Sequence, residues 1–294
     1  MTAFRPADLA RLVVLGAIWG ASFIFIRVLS PVIGPWATAD WRVLLGGATL
    51  VVYAVAIGRR AELARYWKSY VVVGTVNSAM PFLLFGFAAL HLPASYLGIL
   101  NSATPLFAAL LATIWLDERL TLAKIVAIAC GGIGVGLVSK AGPVVPDALF
   151  IWAVAASLVA ALCYAAAGVY LRRNVAHAPP LAVAGWSQAW AGVLLLPGML
   201  AATPASAKSI LTDPILAADM LALAIVCSAV AYLLYYRLMR DVGPTRTLTV
   251  TFLIPLFGML WGWLFLNETI TWTMLVGCAF VIASTLAVLQ PARA

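Results

Sequence analysis

The feature that most constrains this chain is the stretch 69–116, which contains no Asp, Glu, Lys or Arg. A helix needs roughly 20 apolar residues to cross the hydrocarbon core of a bilayer, which is about 30 Å thick. The stretch is therefore long enough for two crossings. His91-Leu92-Pro93 supplies the break between them, since the residue before a proline is disfavoured in a helix.

Similar apolar windows recur along the whole chain. Of its 294 residues, 65% are hydrophobic and only 10% are charged, so a soluble globular domain is excluded. A β-barrel would show short segments of alternating polarity, whereas these windows are apolar on every face. We predict an all-α integral membrane protein with ten transmembrane helices, at residues 10–29, 36–57, 70–90, 94–116, 123–140, 148–171, 181–202, 216–236, 246–266 and 271–290.

Basic residues are distributed unevenly between alternate connections. One side holds 14 of the 18 Lys and Arg residues, and the other holds only Arg27, Arg42, Lys140 and Lys208. The positive-inside rule then predicts a multi-pass membrane protein with both termini cytoplasmic. This topology, with membrane lipids as the surroundings, explains the net charge of +8 without a nucleic acid partner.

Part of the chain repeats itself 150 residues later. The Pro-Leu-Phe motif at Pro105 recurs at Pro255, and Glu118 recurs as Glu268. Between 78 and 121 this offset gives 11 identities in 44 positions without a gap. Five helices per copy would put the second copy into the membrane from the opposite side. We predict a 5+5 inverted repeat, typical of secondary transporters, with one copy at 1–141 and the other at 142–294.

Short motifs lie within or at the ends of several predicted helices. Helix 1 carries Gly16-Ala-Ile-Trp19-Gly20-Ala-Ser-Phe23, and helix 4 closes with Leu116-Asp-Glu118-Arg-Leu-Thr121, whose second copy closes helix 9. With Arg27 and Arg42 in helices 1 and 2, this order resembles the EamA family of the drug/metabolite transporter superfamily. The resemblance covers nearly the whole chain.

This resemblance implies a ten-helix exporter of small metabolites, often amino acids, in the cell inner (plasma) membrane, working by alternating access through a central cavity. Within the family, the abundant aromatic side chains look most like an exporter of aromatic or other hydrophobic amino acids. The chain departs from the family pattern at Tyr164, which stands at the place of Trp19, and at Asn267, which replaces Asp117.

Substrate-binding candidates are polar or aromatic side chains inside the spans. Buried polar groups are costly in a membrane, which favours a functional role, although hydrogen bonds between helices are the competing explanation. Aromatic rings line many pockets, although at span ends they more often anchor the lipid interface. The polar candidates are Asn77, Asn101, Gln188 and Tyr232, and the aromatic candidates are Trp19, Phe23, Trp41, Phe82, Tyr164, Trp186, Trp190 and Tyr235.

Gating candidates form a second group. Arg42 is expected to snorkel towards the outer surface, and the alternative is pairing with Asp40 or with a substrate carboxylate. His91 lies at the break between helices 3 and 4. Pro105 and Pro255 kink their helices and are candidate hinges, with static curvature as the alternative. Glu118 and Glu268 are predicted to fix the turns into helices 5 and 10.

No carboxylate is predicted in the middle of a span, which favours facilitated diffusion over proton coupling. The alternative within transport is a multidrug or organic-cation exporter, which would favour a glutamate embedded in helix 1. A lipid-processing membrane enzyme is a remote alternative, because no paired acid, base or nucleophile is recognisable. We expect no enzyme activity, no cofactor and no metal, and a monomer is a plausible oligomeric state.

Overall fold

The computed structural model describes residues 5–59, 62–118, 121–140, 147–175 and 177–289. Three basic residues of the predicted cytoplasmic side, Arg60, Arg119 and Arg293, and the predicted repeat boundary at 141/142 lie outside these residues. The described part is helical and contains no strand.

Ten apolar helical segments lie at the ten predicted windows. The first element, Pro6–Ala56, is 51 residues long and is interrupted at Gly34, so we label its parts α1 (6–33) and α2 (35–56). The others are α3 (Leu63–Ala88), α4 (Ala94–Trp115), α5 (Leu122–Lys140), α6 (Ala148–Asn174), α7 (Pro180–Ala202), α8 (Pro214–Val242), α9 (Val250–Leu266) and α10 (Trp272–Leu289).

Length and composition make most of these segments able to span a membrane. Pro6–Ala56, α3, α4, α6, α7 and α8 meet both requirements, and α5, α9 and α10 are shorter apolar helices. A short 3-10 helix, Ala205–Leu211, precedes α8, and a single turn, Pro244–Thr247, precedes α9.

The break between α1 and α2 has a local cause. Gly34 has φ 84°, a conformation that residues with a Cβ rarely adopt. A Cβ there would also approach the Pro204 Cδ to 3.1 Å. Pro35, which follows, has no N–H for a continuing helix. These two residues therefore separate two crossings within one apolar stretch.

Two helices contain a wider turn. α3 adopts π-helical geometry over Thr75–Ala79, and α8 does so over Ala222–Val230. Such π segments are rare and frequently occur at functional sites. α4 is interrupted at residues 102–103, so that Pro105 stands in the first turn of its second part.

Glycines allow several helices to pack closely. A Cβ on Gly20 of α1 would lie 2.9 Å from the Gly258 nitrogen of α9, and a Cβ on Gly134 of α5 would lie 2.7 Å from the Gly277 oxygen of α10. A Cβ on Gly47 of α2 would lie 2.9 Å from the backbone nitrogen of α7 at Ala189. These contacts bring together helices that are far apart in the sequence.

Candidate functional site

The two π segments place polar side chains next to each other. Asn77, in the π segment of α3, donates from Nδ2 to the Tyr232 hydroxyl of α8 at 3.1 Å. Ser228, in the π segment of α8, accepts a hydrogen bond from Arg42 Nε at 3.1 Å. The altered helical geometry therefore lies where α2, α3 and α8 exchange polar contacts.

Arg42 is buried among these helices, with only 6% of its surface exposed. Its guanidinium carbon lies 3.8 Å from the Phe82 ring centroid, which is a cation–π contact. Tyr164 and Tyr232 lie nearby. Among the described residues, no carboxylate forms an ion pair with Arg42. The expectation that Arg42 snorkels to the surface is therefore wrong.

Aromatic rings from α1 and α8 adjoin this group. The Trp19 ring lies 5.4 Å from the Tyr235 ring and 6.4 Å from the Tyr232 ring, centroid to centroid. All three side chains are half-buried, so part of each ring surface is accessible between the helices. We call the assembled set the central cluster: Trp19, Arg42, Asn77, Phe82, Tyr164, Ser228, Tyr232 and Tyr235.

Phe23 is a neighbour of the central cluster that packs into the apolar core. Its ring contacts Phe85 at 5.4 Å, and Phe85 in turn stacks on Tyr164 at 6.3 Å with the planes 26° apart. Only 5% of Phe23 is exposed. It therefore supports the cluster through Phe85.

Three tryptophans predicted to bind substrate lie outside the central cluster. Trp41 is 41% exposed and shares its helix stripe with exposed Ala48, Val52 and Val55, so it faces outward and the expectation that it lines a cavity is wrong. The others, Trp186 and Trp190, pack half-buried against the cluster of apolar residues around Tyr66 and Tyr70.

Two buried polar side chains on α2 and α7 have no hydrogen-bond partner among the described residues. Gln188 of α7 is fully buried, and its side-chain oxygen lies 3.0 Å from where a Cβ on Gly46 would be. Asp40 of α2 is also 0% exposed, and both its carboxylate oxygens are without a partner. A carboxylate therefore lies buried inside a span, near the start of α2, and facilitated diffusion stays a prediction.

Sequence reasoning missed Asp40 because it named the residue only as a partner for Arg42. The available signal was its place inside an otherwise apolar window. Asn101 is half-buried in α4, and its Oδ1 is buried without a partner in the described structure. Within the part of the chain that the structure describes, no hydrogen bond joins the Asn101 side chain to the central cluster.

The remaining gating candidates lie at different levels of the bundle. His91 is half-buried in the turn after α3, with its ring 5.4 Å from Phe87. Pro105 and Pro255 are both buried. A Cβ on Gly98 of α4 would lie 3.6 Å from the Pro255 Cα, so Pro255 stands where α4 and α9 cross. Gating by these residues stays a prediction.

The turns after α4 and α9 have the same backbone hydrogen bond. Glu118 N–H donates to the Ala112 carbonyl at 3.2 Å, and Glu268 N–H donates to the Gly262 carbonyl at 3.1 Å. Threonine hydroxyls cap the helices that follow. Thr121 Oγ1 accepts a hydrogen bond from the Lys124 N–H of α5, and Thr271 Oγ1 accepts one from the Met274 N–H of α10, each at 3.3 Å.

The two glutamate side chains bind different partners. The Glu268 carboxylate accepts hydrogen bonds from the backbone N–H groups of Ala94 at 2.6 Å and Ser95 at 3.0 Å, and so caps α4. Glu118 contacts Arg172 at 2.8 Å and Lys124 at 3.4 Å. The prediction that Glu268 fixes the turn into α10 is wrong, since its carboxylate bonds α4.

The charges around Glu118 affect its titration. The hydrogen bond from Arg172, followed by that from Lys124, lowers the pKa of the Glu118 carboxyl, and partial burial opposes this shift. An open hollow of about 410 Å³ borders the other turn, lined by Trp263, Asn267, Glu268, Thr269 and Ile270. This hollow contains no residue of the central cluster.

Comparison with known proteins identifies relatives along the whole chain. The sequence profile of the EamA-like transporter family matches residues 9–140 and again 151–290. Protein PecM of Dickeya dadantii is 26% identical over 275 residues, which cover 92% of this chain and 88% of that protein. A protein of Streptantibioticus cattleyicolor named "Probable terminal-alkyne amino-acid exporter" is 26% identical over 272 residues, covering 91% and 88%.

The fold is also known from solved structures. One crystal structure superimposes with a TM-score of 0.68 at 16% identity, covering 97% of this chain and 96% of the other. At this identity the match concerns the fold alone.

Proposed function

Because the chain belongs to the EamA-like transporter family, we propose that it is a secondary transporter that exports amino acids with aromatic or other hydrophobic side chains. It is a multi-pass membrane protein whose relatives are named as transporters. The observation that carries the proposed substrate is Arg42, a buried cation that lies over the Phe82 ring with Tyr164 and Tyr232 nearby.

The charge of Arg42 favours an anionic group on the substrate. Burying a guanidinium without a counterion is costly, and an arriving carboxylate would offset that cost through two parallel hydrogen bonds. Asn77 and Tyr232 stand near enough to complete the polar end of such a site. A free amino acid offers this carboxylate.

The aromatic members of the central cluster favour an apolar or aromatic side chain on the substrate. Trp19, Tyr164 and Tyr235 are half-buried, which leaves ring surface for a solute to contact. The relative named as an amino-acid exporter supports the same class of substrate. The proposed solute therefore places its carboxylate at Arg42 and its side chain among these rings.

The proposed mechanism is alternating access between two five-helix halves. The two matches of the family profile, the two π segments and the two equivalent turns support an internal repeat at 1–141 and 142–294. In this proposal the second half is inverted, both termini are cytoplasmic, the protein resides in the inner membrane and it works as a monomer.

An organic-cation exporter fits these charges less well. Its site would need a carboxylate facing the solute, whereas the central cluster presents Arg42. On α1 the acidic side chain is Asp8, which stands at the start of the helix and pairs with Arg11 at 2.7 Å. The positive site therefore favours a solute with a carboxylate over a lipophilic cation.

Uptake into proteoliposomes tests the proposal. Labelled tryptophan and phenylalanine should enter vesicles that hold the purified protein, and serine and a lipophilic cation should enter much less. Trp19→Ala should reduce the uptake several-fold, whereas Trp41→Ala, which removes an outward-facing tryptophan, should not. Movement of the cation without movement of the amino acids would contradict the proposal.

A further inference from the structure

Asp40 and Arg42 stand two residues apart on α2 but face different neighbours. Arg42 points to Ser228 and Phe82. Asp40 points to α7, where its Oδ1 lies 3.6 Å from the position that a Cβ on Gly192 would take. Residues at i and i+2 do not share a helix face, so the guanidinium does not neutralise this carboxylate.

The surroundings of Asp40 are unsuitable for a negative charge. It is 0% exposed, and neither carboxylate oxygen has a hydrogen-bond partner among the described residues. An ion without a partner is strongly disfavoured in such a place. The neutral acid avoids this penalty, so the site accommodates Asp40 with a proton bound.

We propose that Asp40 is a proton-binding site that couples substrate export to the proton gradient, an inference that rests on the transport function proposed above. A metal ion at this position would require several oxygen ligands. Among the described residues, no three His, Cys, Asp or Glu side chains lie together to hold a metal ion, and α7, the helix against which Asp40 packs, contains no Asp, Glu, Lys, Arg, His, Cys or Tyr. The proton is therefore the ligand that this environment fits.

The contact between α2 and α7 excludes water from Asp40 in this conformation. A Cβ on Gly192 would lie 2.3 Å from the Leu44 Cδ2, and one on Gly47 would lie 2.9 Å from the Ala189 nitrogen. Separation of these helices during alternating access would hydrate the carboxyl. Asp40 then releases its proton to water on that side and takes up another from water on the opposite side.

Other titratable groups around α2 do not pair with Asp40. No side chain among the described residues donates a hydrogen bond to it. On α3 the titratable groups lie at 65–70, near the start of the helix, whereas Phe82, which contacts Arg42, lies near its end. The elements around α2 also carry titratable or charged groups away from their proposed cytoplasmic ends, which include Arg27 of α1, Cys163 and Tyr164 of α6, Lys208 of the 3-10 helix, and Asp219, Cys227, Tyr232, Tyr235 and Tyr236 of α8.

Infrared spectroscopy of the full chain in liposomes tests the proton directly, without any substrate. The wild type should show the carbonyl stretch of a protonated carboxyl at neutral pH, and alkaline buffer should remove it. Asp40→Asn should lack this band, Asp40→Glu should shift it, and Asp219→Asn should retain it. A spectrum in which Asp40→Asn and the wild type have the same carboxyl bands would overturn the proposal.

Transport tests the coupling. With vesicles one pH unit more acidic inside, wild type should accumulate labelled phenylalanine up to about tenfold if one proton leaves for each molecule that enters. Asp40→Asn should still exchange labelled for unlabelled phenylalanine but should not accumulate it, and Asp219→Asn should behave as wild type. Accumulation by Asp40→Asn equal to that of wild type would overturn the proposal.

The same assay separates this proposal from the transport function. Wild-type exchange without accumulation under the pH gradient would reject proton coupling and leave a facilitative transporter, as the sequence favoured. Absence of both exchange and accumulation for every amino acid would instead contradict the proposed function, and the infrared spectrum would still decide whether Asp40 binds a proton.

Discussion

The turn after α4 and the turn after α9 have the same backbone but hold their glutamates differently. Asp117 and Asn267 both adopt the left-handed conformation, with φ 53° and 52°. At the α9 turn, Glu268 reaches across the bundle to cap α4, whereas at the α4 turn Glu118 pairs with nearby basic side chains. Equivalent sequence has therefore produced equivalent turns with different tertiary contacts.

The difference follows from a proline at the site that corresponds to Ala94. Glu268 binds the N–H groups of Ala94 and Ser95. The offset that carries Glu118 onto Glu268 also carries Ala94 onto Pro244, and proline has no N–H to donate. Glu118 thus lacks one of the two donors that its counterpart uses. A proline at a partner site can thus make two similar turns contribute differently to stability.

The largest effect is expected from Glu268→Ala. It removes two charge-assisted hydrogen bonds from the start of α4 and leaves two backbone donors without their acceptor. The free energy of unfolding in detergent should fall by about 2–4 kcal/mol. Equal losses for Glu268→Ala and Glu118→Ala would show that the two turns do not differ as described.

A smaller effect is expected from Ala94→Pro, which copies Pro244 into the first half. Proline is tolerated in the first turn of a helix, so the main loss is one N–H donor to Glu268. Unfolding should become easier by about 1–2 kcal/mol. In a double-mutant cycle with Glu268→Ala the two losses should not add. Full additivity would mean that the Ala94 N–H does not contribute to stability through Glu268.

The pH dependence of Glu118 should be smaller still. Its folded-state pKa is lowered from the ordinary 4.5, so its stabilising effect is present above that value and is lost as the pH falls through the folded-state pKa. The Arg172 side chain of the pair is largely exposed. Solvent screening therefore limits the loss to about 0.5 kcal/mol. Acid titrations of stability should show this step in wild type and not in Glu118→Gln.

The smallest effect is expected from single changes of the basic partners. Arg172→Ala and Lys124→Ala each leave the other cation next to Glu118. Each should therefore lower the free energy of unfolding by only a few tenths of a kcal/mol, roughly the scale of exposed ion pairs. A loss as large as that from Glu268→Ala would mean that the Glu118 turn is the stronger of the two.

The helix positions could be predicted from sequence because the apolar length of a span is a local property. The kink at Gly34, which separates α1 from α2, occurs within the predicted gap. Side-chain partners could not be predicted in this way. The outward face of Trp41 and the burial of Arg42 depend on how α2 is rotated against α7 and α8. Glu268 finds its partner Ala94 in a helix that is distant in the sequence.

The central claim is that Arg42 binds the carboxylate of the transported solute. Equilibrium binding of phenylalanine and of phenylethylamine, which lacks the carboxylate, tests it most directly, with purified wild type, Arg42→Gln and the control Arg172→Ala. We expect wild type and the control to bind phenylalanine and not the amine, and Arg42→Gln to lose roughly 10- to 100-fold in affinity. Equal binding of both compounds, unchanged in Arg42→Gln, would contradict the claim.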